Sequence, residues 1–103
     1  MNLIDDTRAK HIFSGKPGHM PDTPDNRRLL EDVANDPQAW VAYDRYGKSW
    51  YARIDAQGRQ IWVEVRGDRI VSGGINNVPR ALSPHTGLSV PVKKQWRKNH
   101  GND

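Results

Sequence analysis

The chain contains no cysteine. Disulfides and thiolate metal sites are excluded, and folding needs no oxidising compartment. It also lacks any apolar run near the roughly 18 residues required to span a bilayer. Its first residues, Met1-Asn2-Leu3-Ile4-Asp5-Asp6, show neither the basic start nor the apolar stretch of a signal peptide. There is no phosphate-binding glycine loop, no nucleophile elbow and no paired-acid calcium loop. No internal repeat is visible.

What remains is small and basic. The 103 residues, 35% hydrophobic with four Trp, suffice for one modest core. We expect a single domain over residues 1–92 and a basic tail over 93–103. The formal net charge of +4 is unevenly spread. Residues 1–44 carry five Lys/Arg against eight Asp/Glu, or −3; residues 45–103 carry eleven against four, or +7. A basic C-terminal half fits a polyanionic partner: nucleic acid, an anionic membrane or an acidic protein. Ordinary solvated charge is the plainer reading of the same numbers.

Apolar spacing gives the elements. Asp5 or Asp6 can cap a short helix through Phe13, with Ala9, Ile12 and Phe13 on one face and Gly15 stopping it. Lys16 to Asp22 is a loop. Thr23 and Pro24 open a second helix, Leu29, Leu30, Val33 and Ala34 form its stripe, and Asp36-Pro37 ends it. The period then drops to two. Ala39–Asp44, Ser49–Asp55, Gln60–Arg66 and Arg69–Ile75 read as strands of an antiparallel meander, with a further strand at Leu88–Val92. Gly67-Asp68 suits a two-residue type II′ turn, pairing Arg66 with Arg69. The expected fold class is α+β: two N-terminal helices packed on one face of a twisted four- to five-stranded antiparallel sheet.

On that reading Ile61, Val63 and Val65 face the helices, joined by Trp50, Ala52 and Ile54. Tyr51, Arg53, Trp62, Glu64, Arg66, Arg69 and Val71 form the other face. Its mixture of arginines and aromatics suits neutralising phosphates and stacking on bases; a wet face of an antiparallel sheet is the plain alternative.

The side chains best suited to proton transfer near neutrality are His11, His19, His85 and His100. His11 ends the first helix, and His19 follows in Ser14-Gly15-Lys16-Pro17-Gly18-His19. Two histidines flanking a Gly/Pro turn can converge on one substrate. RNA cleavage needs such a pair: a base to deprotonate the 2′-hydroxyl and an acid to protonate the leaving 5′-oxygen, with Lys or Arg stabilising the phosphorane. No metal or other cofactor is required.

His11-Ile12-Phe13-Ser14-Gly15 followed by Gly18-His19, then a capped helix and four short strands, resembles the C-terminal toxin domains of bacterial contact-dependent inhibition and other polymorphic toxin systems. The His-Ile-x-x-Gly…Gly-His pattern is similar to the start of bacterial EndoU toxin domains, within the barnase–EndoU–colicin–RelE superfamily. Gly73-Gly74-Ile75-Asn76-Asn77-Val78-Pro79-Arg80 also resembles ribonuclease toxins. The likeness covers roughly residues 10–90. It implies an endoribonuclease, acting on transfer RNA in many members, with RNA in a cleft between sheet and loops. His11 and His19 would be acid and base, and a later residue, with Thr86 and Ser83 as matches, would complete the site. Lys16, Tyr51, Arg53, Trp62, Arg66, Asn76 and Arg80 are the substrate-binding candidates. The resemblance further implies a cognate immunity protein, expected to be acidic. It implies a monomeric toxin domain with no membrane partner, at the C-terminus of an exported bacterial protein, acting in the target-cell cytoplasm.

Two other functions compete. A metal-dependent DNase of the ββα-metal type needs its histidines within one hairpin-plus-helix unit, and here no hairpin lies between His11 and His19. A non-catalytic nucleic-acid-binding module would use the same sheet face without the histidines. Insensitivity to EDTA separates the first from a ribonuclease, and incubation with total RNA separates the second.

Overall fold

The computed structural model describes residues 1–15, 19–83 and 87–91. The fold class is α+β. After a two-residue strand β1 (Leu3–Ile4) come a 3-10 turn (Asp6–Arg8), helix α1 (Ala9–Ile12) and helix α2 (Pro24–Ala34). Strands β2 (Trp40–Tyr43), β3 (Ser49–Ile54), β4 (Gln60–Arg66) and β5 (Arg69–Asn76) follow, then the hairpin β6 (Arg80–Ser83) and β7 (Gly87–Pro91). The main sheet has the order β1-β5-β4-β3-β2, and β6-β7 form a separate two-stranded sheet.

Local chemistry accounts for the helices. The Thr23 hydroxyl accepts a hydrogen bond from the Asn26 N–H at 3.1 Å, and Pro24 occupies the first turn, where a missing N–H costs nothing. Leu30, Val33 and Ala34 are buried; at about 1.5–3 kcal/mol for a fully buried Leu or Val, this stripe holds α2 to the sheet. Asp36 caps the next turn by accepting from the Gln38 N–H. The first helical region is more broken than its periodicity suggests. Asp5 caps the 3-10 turn, only Ala9–Ile12 are α-helical, and Ile12 is the residue this segment buries.

The sheet departs from the expected purely antiparallel arrangement. β1 pairs parallel with β5, Leu3 beside Arg69 and Ile4 beside Ile70. Two residues are too short a run for periodicity to reveal. They are held by α2: Asn2 exchanges hydrogen bonds with Asn35 and donates to the Ala34 carbonyl, and the Ile4 N–H donates to Glu31. The strand expected at Leu88–Val92 joins β6 and not the main sheet.

Register brings a second correction. Gly67, at φ 65°, makes the two-residue turn, with Arg66 opposite Arg69 and Val65 opposite Ile70 as the sequence implies. The β2–β3 and β3–β4 turns, however, are three-residue loops built on a repeated pattern, Asp44-Arg45-Tyr46-Gly47-Lys48 and Asp55-Ala56-Gln57-Gly58-Arg59. In each, the Asp pairs with the basic residue four positions on, and the glycine takes a positive φ (80° and 79°). Both carboxylates accept backbone N–H groups within their own loop. An odd loop fixes parity. Ile54 lies opposite Gln60, so Tyr51 is opposite Val63 and Arg53 opposite Ile61. Tyr51 and Arg53 therefore share the α2 side, and Trp50 and Ala52 join Trp62 and Glu64 on the other. Tyr51 packs against the core of Ile12, Met20, Leu30, Val33, Ile61, Val63, Val65 and Ile70.

β5 carries a bulge. Glu64 pairs with Ser72 and Val65 with Ile70, leaving Val71 as the extra residue. Beyond it Gly73 faces α2 and Gly74 faces away. A Cβ on Gly73 would lie 3.1 Å from both Leu30 Cδ1 and the Trp62 carbonyl oxygen. Gly73→Ala should therefore lower stability by about 1–3 kcal/mol in urea denaturation; an unchanged midpoint would show that Leu30 moves aside freely.

Asp44 makes a second test. Its carboxylate is buried and also accepts from the Trp50 indole N–H at 2.9 Å. Burial alone pushes its pKa up, but the Trp50, Lys48 and Tyr46 hydrogen bonds and the Lys48 charge together hold it below the ordinary value. A depressed folded pKa stabilises above the unfolded value of about 3.9 and is lost as pH falls through the folded one. The stability difference between wild type and Asp44→Asn should be full at pH 6 and shrink steadily below about pH 4. A difference independent of pH would mean that ionised Asp44 contributes nothing.

Candidate active site

Two cross-strand rows cross the face away from α2. One is Trp50–Glu64–Ser72; the next is Ala52–Trp62–Gly74. Trp50 and Trp62 stack, with ring centroids 5.8 Å apart and planes inclined by 26°. Each row meets a histidine. His11 Nε2 lies 3.4 Å from Ser72 Oγ. His19 meets Trp62 edge-on, centroids 6.0 Å apart, in the row where Gly74 adds no side chain. The two imidazoles are themselves 6.0 Å apart, centroid to centroid. α1 and the segment after it thus bring together the two histidines singled out from the sequence.

The two rings have different hydrogen-bond partners. His19 Nδ1 lies 2.8 Å from the Ile12 carbonyl oxygen. A carbonyl only accepts, so Nδ1 carries the hydrogen. In neutral His19 the lone pair is then on Nε2, which leaves that nitrogen as a base. Ile12 is fully buried, so the carbonyl is anchored to the core. His19 is half-buried, whereas His11 is exposed. The partner of His11 is a hydroxyl, able to donate or to accept.

Charged groups line the same face. Glu64 is buried and ion-paired with Lys48, and it stands opposite both Trp50 and Ser72. Arg66 belongs to this side and donates to the Tyr46 carbonyl at 3.0 Å. Tyr46 in turn has the Arg45 guanidinium 4.8 Å from its ring centroid. Gln60 organises the opposite end. It donates to the Arg80 carbonyl and accepts from the Arg80 N–H and from Asn76 Nδ2. Trp62 keeps a buried indole N–H with no acceptor among the described residues. A cavity of about 40 Å³ lies among Val41, Trp50, Tyr51, Ala52, Gln60, Trp62 and Arg80. That is far below the several hundred Å³ of a usual ligand pocket. This face is therefore an open surface and not an enclosed pocket.

The other sequence candidates fare differently. Tyr51 and Arg53 do not belong to the face with Trp62, because loop parity turns them toward α2. Arg53 is committed to Asp36 at 2.9 Å, and that hydrogen bond, with the Gln38 N–H, holds the Asp36 carboxyl below its ordinary pKa. Trp62, Arg66, Asn76 and Arg80 remain with the histidine side of the molecule or its border. Lys16, His85, Thr86, His100 and the tail 93–103 lie outside the described residues, as does the Ser83 side chain. Among the described residues no cluster of three or more His, Asp or Glu is placed to hold a metal ion.

Sequence reasoning missed Ser72 and Lys48, put Glu64 on this face without a role, and put Trp50 on the opposite one. Some signal was there. A serine followed by two glycines inside an apolar strand marks a bulge or a close backbone approach. The repeated Asp-x-x-Gly-Lys/Arg pattern marks three-residue hairpins and so the parity of the faces. No protein-family model matches the chain, and no curated protein and no solved structure is significantly similar to it.

Proposed function

We propose that the chain is a metal-independent endoribonuclease in which His19 is the general base and His11 the general acid. The observation that carries the reading is the imidazole pair, 6.0 Å apart, with the nearer-buried ring held by a carbonyl so that Nε2 is free to accept a proton. His19 Nε2 takes the proton of a ribose 2′-hydroxyl. The 2′-oxygen attacks the adjacent phosphorus, forming the O2′–P bond as the P–O5′ bond breaks. His11 delivers its proton to the departing O5′. The products are a 2′,3′-cyclic phosphate and a 5′-hydroxyl. Arg66 and the Trp50–Trp62 stack give the surrounding face a cation and aromatic surface for the strand. As a ribonuclease dangerous to the cell that makes it, the protein would act as a toxin, most simply against transfer RNA, restrained by an acidic immunity protein.

The purified protein should cleave RNA in EDTA and leave the two termini named above; 5′-phosphate products would sink the mechanism. His11→Ala and His19→Ala should each slow cleavage by about 10²-fold or more while remaining folded by circular dichroism. Near-wild-type rates in both would move the site elsewhere. The two roles separate on a nucleoside 3′-aryl phosphodiester, whose leaving group needs no proton. Activity of His11→Ala should recover there, and that of His19→Ala should not; the reverse pattern exchanges acid and base.

A further inference from the structure

His11 has two ring nitrogens, and one of them lies beside Ser72. We infer that Ser72 is a positioning residue for His11: it accepts a hydrogen bond from Nε2–H, so that Nδ1 faces the substrate and delivers the proton. The inference rests on the ribonuclease reading for its role in catalysis, but the hydrogen-bond arrangement is testable without it.

Three observations support it. Ser72 is 6% exposed, and its Oγ lies 3.4 Å from His11 Nε2. This lies at the long end of hydrogen-bond distances. Second, Ser72 stands opposite Glu64 in register on the same face, a pairing that puts Cβ atoms about 4.5–5.5 Å apart. Third, Glu64 is buried and its carboxylate is ion-paired with Lys48. An ionised carboxylate only accepts. No hydrogen bond joins Ser72 to Glu64, but the negative carboxylate across the pair turns the hydroxyl hydrogen toward itself and so leaves the Oγ lone pairs for His11. The Val71 bulge puts Ser72 opposite Glu64 and returns the rest of β5 to the register that places Gly74 opposite Trp62. The adjacent rows thus hold two imidazoles in opposite senses: His19 by Nδ1, with Nε2 working, and His11 by Nε2, with Nδ1 working.

Proton bookkeeping is consistent. The His11 imidazolium has hydrogen on both nitrogens; Nε2–H stays with Ser72 while Nδ1–H goes to O5′. Neutral His11 is then the Nε2–H tautomer, with Nδ1 ready to be protonated again.

The test combines long-range ¹H–¹⁵N spectra of the imidazoles, recorded where both histidines are neutral, with kinetics of the whole chain. In wild type, His11 should be the Nε2–H tautomer and His19 the Nδ1–H tautomer. Ser72→Ala should leave His11 as a mixture while His19 is unchanged, and Ser72→Thr should restore the single form. On RNA, Ser72→Ala should lower kcat roughly 10- to 100-fold, the range for losing a partner that fixes an imidazole, with KM within about twofold of wild type. The loss should vanish with the aryl phosphodiester, a recovery that a merely structural defect would not produce. A wild-type His11 found as Nδ1–H overturns the inference even if Ser72→Ala fails to fold. So does a single Nε2–H form persisting in Ser72→Ala. Absence of RNA cleavage by wild type would sink the ribonuclease reading instead, leaving the tautomer result to decide the contact.

Discussion

Loop parity is the constraint on which the rest of this structure depends. Strand side chains alternate, so a hairpin loop of odd or even length decides which half of a strand meets the core. Asp44 and Asp55 each build a three-residue loop by accepting the N–H groups that follow, and each glycine supplies the positive φ. Those two carboxylates send Tyr51 and Arg53 toward α2 and bring Trp50 against Trp62. The aromatic stack and the placing of Trp50 opposite Glu64 follow from the same count, while the serine on the other side of Glu64 is set by the Val71 bulge.

The histidine side is assembled from distant parts of the chain by weak, directional contacts. β1 and α1 form a strap along the β5 edge, anchored by Ile12 in the core and by Asn2 on the end of α2. Only after that anchoring does the Ile12 carbonyl occupy a defined place, and only then is the His19 tautomer defined. The geometry of the histidine pair is thus downstream of the packing of a four-residue helix.

Much of this was legible in the sequence. Thr23-Pro24, the Leu30/Val33/Ala34 stripe and the Gly67-Asp68 turn carry strong local signals, and the structure follows them. The pairing of His11 with His19 was legible because only seven residues, two of them glycine, separate them in sequence. What was not legible depended on counting and on contact. The faces of β3 are the reverse of those expected, because apolar alternation alone does not count the residues of the Asp-x-x-Gly-Lys/Arg loops. β1 is too short to have a period. Ser72 and Glu64 look ordinary in sequence, and become a pair only through the register created by a bulge.

The adjacent glycines of β5 have one more consequence. Gly73 admits Leu30 on one side and Gly74 leaves its place in the Trp62 row empty on the other. At this point the wall between the hydrophobic interior and the histidine-bearing surface is one peptide thick. Leu30 lies against Gly73, and Gly73 against the backbone of the strand that carries Trp62. Changes of volume on α2 therefore have a short mechanical route to the imidazole resting on Trp62. The helix that seems remote from the histidines is in effect the back of their seat, and its side-chain sizes set how firmly that seat is held.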